Sequence, residues 1–236
     1  MKNHKIFLVL LLFAFLFLCS LSLMRSQLKS VISPIENPAA STFTVVIDAG
    51  HGGFDSGKVG VDGSLEKTIN LSIAKKLERL LLAADINTVM IRREDLELCT
   101  ETDSNKKRAD LQKRVSLMND ANADCIISIH QNSYPQESIH GAQVFYYTHS
   151  ESGKHLAVFL QNALRTGVDP DNHRTEKAND TYYLLKNVSA PTVIAECGFL
   201  SNWAESKKLV DDTYQQKLAW AIHLGILQYL NDLSNH

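Results

Sequence analysis

Two histidines and two carboxylates in this chain stand where chemistry is commonly done. His51 follows the run Phe43-Thr-Val-Val-Ile-Asp48-Ala-Gly, His130 closes Asp124-Cys-Ile-Ile-Ser-Ile, and Glu196 is read as ending the buried strand within Pro191-Thr-Val-Ile-Ala-Glu-Cys-Gly-Phe-Leu. Each run is short, apolar and rich in β-branched residues, which reads as a strand buried on both faces. In an open α/β sheet, ligands bind in the crevice outside the carboxyl ends of such strands. A single histidine at a strand end is most simply a satisfied turn residue. Two of them and an acid repeat one pattern, and on parallel neighbouring strands they would converge at one edge. Glu66, fifteen residues beyond His51 across a glycine-rich loop, opens a helix at that same edge.

Two imidazoles and one or two carboxylates facing a crevice suit zinc, and two histidines with one carboxylate leave a coordination position for water. Glu196 is the most telling of the four, because apolar residues flank it on both sides. An ionised carboxylate there is costly unless paired or near a metal, and burial raises its pKa toward values useful for proton transfer. Glu66 has a plainer explanation, since acids favour the first turn of any helix. His140, His149, His155, His173 and His223 lack converging partners and read as ordinary residues. The loop from Gly52 to Gly63 lacks the glycine spacing of a phosphate cradle.

The elements that must position these residues alternate between strand and helix. Apolar residues at Ile69, Ile73, Leu77, Leu80, Leu81 and Ala84 recur at helical intervals, and Asn87 to Ile91 follows as a strand. Arg108 to Met118, Lys154 to Leu164, Trp203 to Val210 and Lys217 to Leu230 read as further helices. Gly141 to Thr148 and Tyr182 to Leu185 read as further strands, and Asp169 to Thr181 as a charged loop able to reach over a crevice. The expectation is an α/β fold: a single three-layer domain with a largely parallel, helix-covered central sheet, over residues 43–236.

The first 42 residues differ. Ile6 to Met24 carries no charge and is flanked by Lys2 and Lys5 on one side and Arg25 and Lys29 on the other. Nineteen residues at ~1.5 Å each nearly cross a ~30 Å hydrocarbon core. No small-x-small cleavage site follows, and Leu18 before Cys19 makes a poor lipoprotein box. Residues 1–29 are therefore expected to be a membrane-anchor helix rather than a cleaved signal, and 30–42, with two prolines, a linker. A net charge of −2 with interspersed signs argues against a nucleic-acid partner. The four cysteines form no CxxC pair, and Cys125 and Cys197 read as small core residues.

Four motifs, in order, carry a family resemblance: Ile47-Asp-Ala-Gly-His51-Gly-Gly; Glu66-Lys; Ser128-Ile-His130-Gln-Asn132; and Pro191-Thr-Val-Ile-Ala-Glu196-Cys-Gly-Phe-Leu-Ser-Asn202. Across about 190 residues the domain resembles the zinc-dependent N-acetylmuramoyl-L-alanine amidases of the third amidase type, which cleave bacterial peptidoglycan. The resemblance implies that His51, Glu66 and His130 hold Zn²⁺ and that Glu196 is the catalytic acid/base. It also implies substrate contacts at Asn132, Arg92 and Arg174. Lesser matches are Asp95, Leu111, Arg114 and Asn119, and Ile91 departs from the threonine usual before the arginine. One anchor and one catalytic domain, without a wall-binding repeat, is similar to the family members of spore formers that act on the cortex. There, removal of the stem peptide leads to muramic lactam. The implied partners are peptidoglycan, the membrane through the N-terminal segment, and an accessory protein if one is required. The implied location is extracytoplasmic, with Met1 in the cytoplasm. Two other readings compete: a zinc exopeptidase on a related sheet, and an inactive wall-binding module.

Overall fold

The computed structural model describes residues 43–235. The anchor and linker expected over 1–29 and 30–42 lie outside the described residues. Among those described, no helix is long and apolar enough to cross a membrane. The strands are β1 (Thr44–Ala49), β2 (Asn87–Met90), β3 (Cys125–Asn132), β4 (Gln143–Tyr147), β5 (Lys177–Asn179) and β6 (Thr192–Phe199). The helices are α1 (Glu66–Ala83), α2 (Lys106–Asp120), α3 (Glu151–Gly167), α4 (Tyr183–Asn187), α5 (Trp203–Leu209) and α6 (Asp212–Ser234). The sheet runs β2-β1-β3-β6-β4-β5, parallel throughout except where β4 meets β6.

Side chains alternate between the two faces of a strand, and here the alternation sorts two cores. Val45, Ile47, Cys125, Ile127, Val193 and Ala195 pack against α1, α3 and α6. Val46, Ile126, Ile194 and Phe145 pack against Met118 of α2 and Leu184 and Leu185 of α4. Along this second face the next positions toward the carboxyl ends are Asp48, Ser128, His130 and Glu196. An apolar floor therefore gives way to a polar one at one edge of one face. The register pairs Asp48 with Ser128 and His130 with Glu196 on adjoining parallel strands.

Three expectations need correction. Tyr182 to Leu185 is not a strand: the Asn179 Oδ1 accepts from the backbone N–H groups of Thr181 and Tyr182, each at 2.8 Å, and turns the chain into α4. The preceding segment is not wholly loop, since Lys177–Asn179 adds a parallel edge strand to β4. Glu196 does not end its strand but lies in the middle of β6, buried along its whole length.

Arg114 of α2 ties this edge together. Its Nη1 lies 2.5 Å from Asp48 Oδ1 and its Nε 2.6 Å from Asp110, while Ser128 donates to Asp48 at 2.7 Å. Burial alone would raise the Asp48 pKa, but Arg114 and Ser128 outweigh it and hold the carboxyl below its ordinary range. Removing one member of a buried pair leaves the other charge uncompensated. Arg114→Leu is expected to lower stability by about 3–5 kcal/mol in denaturant unfolding. The loss should shrink clearly in the Asp48→Asn/Arg114→Leu double variant; additive losses would mean the pair is not coupled.

Candidate active site

β1 delivers the chain to Ala49, and three consecutive carbonyls then fall to two arginines. Arg92 donates to the carbonyls of Ala49 at 2.8 Å and Gly50 at 3.0 Å. Arg114 donates to those of Ala49 at 3.0 Å and His51 at 2.6 Å. His51 itself has φ of 62°, a left-handed conformation that a non-glycine residue adopts at a cost and keeps only where its surroundings over-determine it. The arginine clamp supplies that determination and turns the imidazole toward β3.

Glu66, 2 % exposed, lies between the two histidines. Its Oε2 is 3.2 Å from His51 Nε2 and its Oε1 is 3.0 Å from His130 Nδ1, with the two rings edge to face at 5.0 Å between centroids. Backbone N–H groups of Lys58 (2.8 Å) and Gln131 (3.1 Å) donate to the same carboxylate. Burial would raise the Glu66 pKa, yet hydrogen bonds from His130 and His51 hold it well below the ordinary carboxylate range. For His130, burial works downward and the Glu66 carboxylate more than offsets it, leaving the imidazole above its usual value.

One donor atom from each of His51, Glu66 and His130 falls within 4.8 Å of the others, a spacing one cation can bridge. Two glycines make the room. A Cβ on Gly50 would come within 2.2 Å of the His130 ring, and one on Gly57 within 2.5 Å of Glu66 Oε2. Two imidazoles, one carboxylate and a cradle kept clear of side chains fit a zinc-type ion.

Glu196 shares the cleft, a cavity of about 570 Å³ that all four residues line. Its Oε2 is buried without a hydrogen-bond partner. Burial, reinforced by Glu66 and opposed by His130 and His51, pushes its pKa up to about 7. A carboxyl poised there exchanges protons readily at neutral pH.

Comparison with known proteins agrees with this geometry. Residues 45–228 match the family model described as N-acetylmuramoyl-L-alanine amidase. The chain belongs to that family. The germination-specific N-acetylmuramoyl-L-alanine amidase of Bacillus subtilis is 35% identical over 191 residues, spanning 80% of each chain. The structure of the CwlD amidase from Clostridioides difficile in complex with the GerS lipoprotein is 40% identical, with a TM-score of 0.78, covering 80% of this chain and 98% of that one. The amidase AmiC2 of Nostoc punctiforme is 33% identical with a TM-score of 0.71, covering 81% and 99%.

Of the amidase's expected substrate contacts, Asn132 lines the cleft beside His130. Arg92 does not reach it: the side chain is buried, and its nitrogens are spent on the carbonyls of Ala49, Gly50, Lys67 and Glu94. It shapes the loop and does not line the cleft. Arg174 is also outside, donating to the His140 carbonyl and Gln143 and lying 4.9 Å over the Phe199 ring.

Sequence reasoning missed Asp55. Its Oδ2 accepts from His51 Nδ1 at 2.8 Å, and Lys107 Nζ holds its other oxygen at 3.0 Å. Burial would raise the Asp55 pKa, and the bonds from His51 and Lys107 lower it instead. With Nδ1 engaged by Asp55, it is Nε2 of His51 that faces Glu66 and the centre. The available signal was an acid four residues past the histidine, hidden among loop residues with no periodicity. Such outer partners contribute 10- to 100-fold to metal affinity. Asp55→Ala is expected to weaken zinc binding by about that factor in chelator competition while leaving the thermal unfolding midpoint near wild type. Unchanged affinity would mean that His51 needs no such support.

Proposed function

We propose that this amidase hydrolyses the amide between the lactyl group of muramic acid and L-alanine in peptidoglycan, using zinc held by His51, Glu66 and His130. The observation that carries the reading is the pairing of that His-Glu-His cluster with Glu196, whose unpartnered, neutral-range carboxyl lies in the same cleft. Zn²⁺ bound there would acidify a water toward neutral pH and polarise the scissile carbonyl. Glu196 takes the proton of the attacking water and returns it to the departing alanine nitrogen. Asp55 keeps the His51 ring in one tautomer, and Gln131 and Lys58 hold the Glu66 carboxylate through their N–H groups. Asn132 is placed to meet the substrate at the cleft wall.

Peptidoglycan lies outside the cytoplasmic membrane, so the domain acts there. The apolar run Ile6 to Met24 would tether it, with Met1 inside and residues 30–42 as the spacer. A role in the spore cortex is supported by similarity to the germination-specific amidase of Bacillus subtilis. Working with an accessory protein is supported by similarity to an amidase solved in complex with a lipoprotein.

The test is to incubate purified protein with purified peptidoglycan and follow stem peptides by mass spectrometry, with and without chelator. Release of whole stem peptides, abolished by chelator and restored by zinc, is expected. An exopeptidase would shorten the stems, and a wall-binding module would release nothing. Glu196→Gln should abolish release while keeping zinc affinity, and it should also change stability in a defined direction. Folding raises this carboxyl from 4.5 to about 7, which favours the folded state while it is protonated. That advantage disappears as pH climbs from the ordinary value through about 7. Metal-free Glu196→Gln is therefore expected to be more stable than wild type above pH 7, by up to about 3 kcal/mol, with the gap closing in acid. A variant less stable at every pH would contradict the burial cost assigned to Glu196.

A further inference from the structure

We propose that the amidase cleft continues into a second basin that receives a carboxylate of the acidic stem peptide, with Arg108 as the receiving charge. The inference rests on the amidase reading above and adds a specificity-determining residue to it. Beside the main cleft lies a hollow of about 430 Å³ lined by Asn105, Lys107, Arg108, Leu111 and Tyr183. Lys107, Leu111 and Tyr183 line the main cleft as well, so the two are continuous.

Charge is divided between the two parts. The main cleft carries the carboxylates of Asp48, Asp55, Glu66, Asp110 and Glu196, whereas no carboxylate lines the second hollow. The first turn of α2 holds Lys106, Lys107 and Arg108 and no acid, an arrangement the positive end of a helix disfavours. Two of the three cations have partners: Lys107 pairs with Asp55, and Lys106 lies 5.8 Å over the Phe54 ring. Among the described residues Arg108 forms no ion pair, and it is exposed in the hollow. Leu111 and Tyr183, 37 % and 38 % exposed, give the same hollow an apolar flank.

A cation without a counter-charge, an apolar flank and an opening onto the reaction centre together select an extended ligand. That ligand carries a carboxylate a few bonds from the scissile amide and alkyl groups between. The peptide on the alanine side of the bond has this chemistry, and the neutral sugar on the other side has no use for the charge. The stem peptide therefore leaves the centre over the first turn of α2. Charge-assisted hydrogen bonds of the guanidinium fix its first carboxylate.

The experiment uses the full chain and two muramoyl peptides, alike except that the carboxylate of the residue after alanine is free in one and a carboxamide in the other. The free acid is expected to have a KM lower by about tenfold or more. Arg108→Glu should raise that KM by a similar factor with kcat little changed and leave the carboxamide substrate unaffected. Arg108→Lys should keep most of the discrimination. Since glutamate suits a first helical turn better than arginine does, the loss cannot be laid to unfolding. Equal effects of Arg108→Glu on both substrates, no effect on either, or a fall in kcat alone would overturn the proposal. Should wild type cleave both substrates with one KM, only the second basin falls. Should it free no stem peptide from either, the amidase reading falls with it.

Discussion

The fold has to keep one charge dry. Glu66 is almost wholly removed from water, and an unpaired carboxylate in that position would cost several kcal/mol. Its environment replaces the lost hydration with two imidazoles and two backbone N–H groups, drawn from the β1–α1 loop and the end of β3. The carboxylate thus joins segments far apart in sequence, and the loop cannot drift without stranding it. A cation bound as proposed would meet ligands already assembled, because the cost of gathering them has been met during folding. That is the sense in which the site is preorganised.

What orients the histidines is as much backbone as side chain. The strained φ of His51 persists because Arg92 and Arg114 occupy the carbonyls of Ala49, Gly50 and His51, and Arg114 is itself anchored on Asp48. Asp48 sits on the same face of the sheet as His130 and Glu196, one strand further along. The ion pair beneath the cleft and the ligand cluster above it therefore belong to one construction. Arg92 and Arg114 both look like functional cations in sequence, and both work by holding carbonyls in place.

Period and order were legible in the chain. Apolar β-branched runs announced β1, β3 and β6, and their parallel adjacency follows from crossover helices with regular intervals such as Ile69, Ile73 and Leu77. Placing His51, His130 and Glu196 at one edge needed only that adjacency. Contacts made by loops were not legible, because no periodicity governs them. Asp55 gains its role from a turn closed by Gly52, and α4 follows a turn in which Asn179 Oδ1 accepts from the N–H groups of Thr181 and Tyr182. Arg92 and Arg174 were expected at the substrate because family pattern gives a residue's place without saying which way it turns. Burial decides that, and for Arg92 it points inward.

The two glutamates of the cleft show how far environment can divide identical groups. Glu66 is met by five donors, both histidines, the Asn70 amide and two backbone N–H groups, and those bonds pin its negative charge. Glu196 stands on a strand buried along both flanks, with one oxygen unpartnered and another carboxylate nearby, so the same chemical group is pushed toward neutrality. A ligand must stay ionised through every cycle, and a proton carrier must not. Exchanging the two environments would leave a ligand that protonates and a base that never does. The role proposed for each glutamate thus rests on the donors that the strands and the loop bring to it, and residue type alone would not have told them apart.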